Sequence, residues 1–176
     1  SKSLPDTIAE MKDLAKIREK FNTPYSVIFM AQFKNETIQE KITLLNSWSE
    51  QFESVTVEGE KGVHSVAHLG KLKVPVQGGM LGVKAGSFSP DLSTKILNDR
   101  IKTNAEITGN FISEDHSVAV LLIYTKTEVD RQKTLSGLQQ VLGEIQSRGH
   151  SHTYITGATA TSWYLNKGMR ANFRVL

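Results

Sequence analysis

The apolar positions of the chain change period several times, and each change marks an element. From Thr37 to Phe52, Ile38, Ile42, Leu45, Trp48 and Phe52 recur at four, three, three and four residues, and Leu44 widens the stripe. That spacing lines one face of a 3.6-residue helix, the clearest helical pattern in the sequence. Leu135, Leu138, Leu142 and Ile145 repeat it and predict a second long helix over 130–148, stopped by Gly149. A weaker stripe of Ile8, Met11, Leu14 (or Ala15) and Ile17 or Arg18 predicts an amphipathic helix over 6–20.

Other stretches change to strand character. Asn22-Thr23-Pro24 breaks the first helix, because a proline disfavours the helical conformation of the residue before it, and 25–33 follows as a buried strand. Val118 to Tyr124 is apolar on both faces and predicts a central strand. Phe111-Ile112-Ser113 enters it through the turn Glu114-Asp115-His116, which suggests a hairpin. Val55 to Gly59 predicts a strand ending in a glycine turn, and His152 to Thr156 alternates as a strand into Gly157. Ser89-Pro90-Asp91 has the residues of a helix entrance, and Leu92, Ile96, Leu97, Ile101 and Ala105 continue a face that should end before Gly109.

Residues 25–57 and 118–156 are thus each strand, helix, strand. The expected fold class is α+β, a ferredoxin-like split-βαβ antiparallel sheet with the helices on one face. The core would comprise 25–58 and 111–157. Between its halves, 59–110 would be a glycine-rich insertion, in which Gly62, Gly70, Gly78, Gly79, Gly82 and Gly86 separate short apolar pieces at 63–69, 72–76 and 80–83. An insertion of that length is usually functional or interfacial. The tail 158–176 carries Trp163, Leu165, Met169, Phe173, Val175 and Leu176 and is expected to continue into something beyond these residues.

Composition narrows the class. The 176 residues suit a single domain over 1–176, and 39% hydrophobic and 22% charged residues with four prolines exclude a disordered or collagen-like chain. The longest apolar run, 118–124, is far short of the ~20 residues of a membrane helix. The first residues lack an apolar core, so an export signal or anchor is expected outside the sequence given. With no cysteine there is no disulfide, thiol nucleophile or thiolate metal site. The net charge of +3 is slight, and Lys71-Leu72-Lys73 and Lys12 to Lys20 are short or interleaved with acids, so nucleic acid is not an expected partner.

Little in the sequence suggests catalysis. His64 and His68 stand four apart and His150 and His152 two apart, spacings that share a strand face, but there is no zinc-protease glutamate and no third ligand, so no metal is expected. Glu114, Asp115, Asp99 and Glu106 are ordinary solvated charges with no nucleophile beside them, and no catalytic residue is assigned. Gly78-Gly79-Met80-Leu81-Gly82 lacks the lysine and Ser/Thr of a phosphate loop, so no nucleotide or other cofactor is expected. Asn35-Glu36-Thr37 matches a glycosylation acceptor and is given no role. There remain Met80, Leu81 and Phe88, with Val83 between them. In so glycine-rich a stretch they are expected to offer apolar surface to a substrate or partner, whereas an ordinary structural arm would bury them in its own core.

Three strings, in this order, resemble the extracytoplasmic loops of the resistance-nodulation-division (RND) superfamily. Phe21-Asn22-Thr23 into Val27-Ile28-Phe29 resembles the opening strand, with Asn22 where the family often has glycine. Ile112-Ser113-Glu114-Asp115 resembles the step into the central strand, and His152-Thr153-Tyr154-Ile155-Thr156-Gly157 the strand end before the chain returns to the membrane. The resemblance covers nearly the whole chain. It implies the first periplasmic loop of an MMPL-like exporter, on the outer face of the inner membrane and tethered by membrane helices absent from this sequence. Trp163, Arg170 and Arg174 would then approach the second membrane helix. The proton relay would lie on the absent helices, and this domain, with a second homologous periplasmic domain, would form the path of a hydrophobic or lipid-like substrate. A homo-oligomer is compatible with that arrangement. The competing class is an extracytoplasmic ligand-sensing module of a membrane receptor. An RNA-binding sheet would need exposed aromatics on adjacent strands, which the sequence does not place there.

Overall fold

The structure, a computed structural model, describes residues 26–156. The expected helix over 6–20, the approach to the first strand and the tail 158–176 lie outside the described residues. Among the described residues, eight strands and three α-helices follow in order: β1 (Ser26–Gln32), α1 (Ile38–Glu53), β2 (Thr56–Val57), β3 (Glu60–Lys61), β4 (Val63–Ala67), β5 (Lys73–Gln77), β6 (Val83–Ser87), α2 (Thr94–Lys102), β7 (Val118–Thr125), α3 (Arg131–Ser147) and β8 (Thr153–Thr156). Single 3₁₀ turns occupy Leu69–Lys71 and Gly79–Leu81. No helix among the described residues is long and apolar enough to cross a membrane.

Four strands form the main sheet in the order β4-β7-β1-β8, and every neighbouring pair is antiparallel. β1 and β4 therefore run parallel with β7 between them, and β7 and β8 run parallel with β1 between them. Each parallel pair is joined through a helix, so two strand–helix–strand units interleave. Register is fixed by side-chain alternation, because slipping one residue would turn every side chain to the wrong face. Phe29 stands opposite Leu121 on one side and Ile155 on the other.

Both long helices pack on the same face of this sheet. Val27, Phe29 and Ala31 share one core with Ile42, Leu45 and Phe52 of α1 and with Leu138, Leu142 and Ile145 of α3. The Phe29 ring centroid lies 5.4 Å from that of Trp48, edge-on, and 5.0 Å from that of Phe52. Fully burying one such side chain stabilises by about 1.5–3 kcal/mol. The alternate residues Ile28, Met30, Val118, Val120, Leu122 and Tyr154 form a second buried cluster. β7 is thus apolar on both faces, as its sequence predicts. α1 begins where a capping box closes its first turn: the Glu40 N–H donates to the Thr37 hydroxyl at 3.1 Å, and the Thr37 N–H donates to the Glu40 carboxylate at 2.9 Å.

The strand expected over 55–59 forms as β2 and ends in its glycine turn, but it does not join the main sheet. Glu58 (φ 53°) and Gly59 (φ 84°) are consecutive left-handed residues, so 56–61 closes as a two-residue hairpin and takes no part in the main sheet. The edge strand is β4, within the stretch expected to be insertion, so the excursion leaves the sheet only after Ala67. A bulge lies between Val63 and Ser65, which puts Val63 and Val66, three apart, both inside. α2 also starts later than expected. Ser93 caps it, accepting from the Ile96 N–H at 3.2 Å, while Ser89 accepts from the Asp91 N–H in a preceding turn. Ile96 is consequently exposed, whereas Leu97 and Ile101 are buried. Phe111 to Ser113 meets β7 only as a short antiparallel bridge centred on Ile112 and Ala119.

Candidate contact surface on the glycine-rich arm

β5 and β6 pair with each other from Lys73↔Ser87 to Gln77↔Val83 and belong to no other sheet. They form an arm. Its sequence alternates along Lys73-Val74-Pro75-Val76-Gln77: Val74 is buried and Val76 half-buried toward the core, while Lys73, Pro75 and Gln77 face out. The turn needs its glycines, because Gly79 (φ 66°) and Gly82 (φ 85°) are left-handed and the Gly78 N–H donates to the Gly82 carbonyl.

The base of the arm is anchored at both roots. Phe88 has no accessible surface and lies in the main core with Val74, Leu97 and Ile101. Gly86 is a place of close approach, since a Cβ there would stand 2.5 Å from Val76 Cγ1 and 3.0 Å from Arg100 Cζ. Arg100 in turn donates from Nη1 to the Ser87 carbonyl at 2.5 Å. At the other root, His68 caps the first 3₁₀ turn, its Nδ1 accepting from the Gly70 N–H at 3.0 Å, and Lys71 pairs with Glu53 of α1.

The tip differs. Met80 is fully exposed (104%) and Val83 is 71% exposed, the two large apolar side chains that stand furthest into solvent among the described residues. The Leu81 side chain lies outside the described residues. The expected trio is therefore divided: Met80 presents apolar surface, whereas Phe88 cannot, because it is the hydrophobic anchor of the arm. A groove of about 430 Å³ runs beside the base, lined by Leu72, Val74 and Pro75 on one side and Asn104, Ile107 and Phe111 on the other.

Several of the other sequence candidates have structural work. The β4 bulge reverses the alternation between His64 and His68, leaving His64 exposed and His68 fully buried, so the two share no face. Burial, then the charge of Lys71, lowers the His68 pKa to about 4. His150 meets the Trp48 ring edge-on at 5.1 Å, and the His152 carbonyl accepts from the Gln32 N–H at 2.9 Å. No group of three potential metal ligands exists among the described residues. Asp115 organises the turn before β7. Its carboxylate accepts from both the Ser117 and Ser113 hydroxyls at 2.7 Å and from the Ser117 N–H at 3.0 Å, which lowers its pKa to about 2. Glu114, Asp99 and Glu106 are exposed. Within the acceptor-like triplet, the Glu36 carboxylate accepts from the Lys34 and Asn35 N–H groups, and Thr37 is the helix cap.

Sequence reasoning did not pair β5 with β6, and it did not find the buried His68 or the tight fit of Gly86. The alternation of 73–77 before a double glycine was the available hint for the pairing. Nothing local announces the other two, and the tight fit of Gly86 depends on Val76 and Arg100 being brought near. No protein-family model matches the chain, and no curated protein matches it. Over its described residues the fold is α+β, with three α-helices, antiparallel sheets and an exposed two-stranded arm.

Proposed function

We propose that this chain is a non-catalytic periplasmic domain of an MMPL-like RND exporter, built on the ferredoxin-like split-βαβ plan and helping to form the path of a hydrophobic or lipid-like substrate. The interleaved strand–helix–strand units support the fold assignment, and the three ordered strings of sequence support the family. The observation that carries the functional reading is the arm, whose tip holds Met80 and Val83 in solvent while its base is fixed in the core. A rigid base with an apolar tip suits contact with a moving substrate or with the second periplasmic domain of the same transporter. No cofactor or metal enters this reading. The groove at the arm's base favours a second reading, a ligand-sensing module of a membrane receptor.

The test uses the full-length gene product. Reporter fusions on either side of residues 1–176 should place this domain outside the cytoplasm between two membrane helices, and Met80→Asp should lower export of a hydrophobic dye without lowering the domain's melting temperature. A cytoplasmic location would overturn both readings. A kinase or cyclase in place of further membrane helices would favour the sensor over the exporter.

A further inference from the structure

The stretch from Gly62 to Pro90 contains no aspartate or glutamate in a chain that has 18 acidic residues, and it contains Lys71, Lys73 and Lys84. Lys71 is engaged with Glu53. Lys73 and Lys84 are exposed on opposite sides of β5 and β6, with no acidic residue on the arm itself, and Glu106 lines the groove beside Lys73 at the base. The antiparallel register puts Val83 on the same side of the arm as Ala85 and Pro75, both exposed, and puts Lys84 opposite Val76 on the other side. A narrow, cationic two-stranded stem therefore ends in a glycine turn bearing one fully exposed methionine, with an exposed valine at the head of β6.

We propose that this arm docks on an anionic lipid bilayer surface, with the Met80 and Val83 side chains entering the interfacial layer and the Lys73 and Lys84 ammonium groups lying at headgroup phosphates. Charge complementarity selects the partner's sign. The shape selects a bilayer over a folded protein, since a stable protein interface covers about 800 Å² per partner on a broad patch, whereas an apolar wedge needs no matching contour. Single-stranded nucleic acid is disfavoured because the arm carries no aromatic ring on which a base could stack. The inference goes beyond the exporter reading and does not rest on it, because vesicle binding by this chain is blind to what its parent does.

The experiment is co-sedimentation of the 176-residue chain with vesicles of phosphatidylcholine alone and of phosphatidylcholine containing phosphatidylglycerol. The anionic vesicles should bind at least about tenfold more tightly and lose that advantage as salt rises. Met80→Asp and Val83→Asp, and separately Lys73→Glu with Lys84→Glu, should each weaken binding by roughly tenfold or more, with the circular dichroism spectrum and melting temperature unchanged. A Met80→Trp variant should gain fluorescence quenching by brominated lipid. Equal binding to both vesicle types, binding that survives the arm substitutions, no quenching of the introduced tryptophan, or tighter association with a single-stranded oligonucleotide would each overturn the proposal.

Discussion

His68 is a neutral histidine held where charging it is costly. Its Nδ1 accepts the Gly70 N–H, so Nε2 carries the proton, and that atom is buried without a hydrogen-bond partner. The folded pKa of about 4 lies below the unfolded value near 6.5, so the unfolded chain binds more protons between the two. Stability should be full above about pH 6.5 and fall as pH drops toward 4, by at most about 3 kcal/mol from this group. Burial also lowers the pKa of His116, which contributes with the same sign. Urea titrations across this range should therefore show a smaller slope for His68→Asn than for the wild type, and an unchanged slope would refute the assignment. Two glycines inside α3 make a second comparison. A Cβ on Gly137 would stand 2.6 Å from Val55 Cγ1, whereas one on Gly143 meets nothing within 4 Å. Gly143→Ala should stabilise by up to about 1 kcal/mol, because it removes the helix cost of glycine. Gly137→Ala should destabilise by roughly 1–3 kcal/mol, because the overpacking outweighs that gain. Denaturation midpoints of the two variants should move in opposite directions.

At the scale of elements, the arm joins two unlike environments within a few residues. Phe88→Ala should cost about 3–5 kcal/mol, since it empties a fully buried aromatic site at the arm's root. Met80→Ser should stay within about 0.5 kcal/mol of the wild type, since its side chain is fully exposed. Thermal unfolding of the two variants measures the contrast, and comparable losses would mean that the tip packs on the domain. The capping box makes α1 the testable helix. Thr37→Ala removes the acceptor for the Glu40 N–H and should cost about 1 kcal/mol.

For the whole molecule, the interleaved connections make the centre and the arm unequal in stability. β7 is hydrogen-bonded on both sides, to β4 and β1, and its residues from Val118 to Ile123 are buried. The arm has only its own two strands, and outward residues on both are exposed. Native-state hydrogen exchange should give β1 and β7 amides protection approaching the global unfolding free energy, with β5 and β6 amides exchanging through a local opening of lower cost. Protection of the arm equal to that of β7 would show the two to be one cooperative unit.

The sequence itself determined α1, α3, β1, β7 and β8: Ile38 to Phe52 can bury one face only as a helix, while β-propensity, short length and flanking breaks mark 25–33 and Val118 to Tyr124 as strands. The absence of cysteine and of a phosphate loop was equally plain in the sequence. Tertiary structure decided which short β-prone piece joined the main sheet. Val55 to Gly59 and Val63 to Ala67 have similar propensity, and the left-handed pair Glu58 and Gly59, with the bulge in β4, gave the edge position to the second. It also separated Met80 from Phe88, two apolar residues in one glycine-rich stretch. Burial is set by what the chain brings near: Leu97 and Ile101 arrive beside Phe88 from α2, whereas the Met80 and Val83 side chains at the tip are left in solvent.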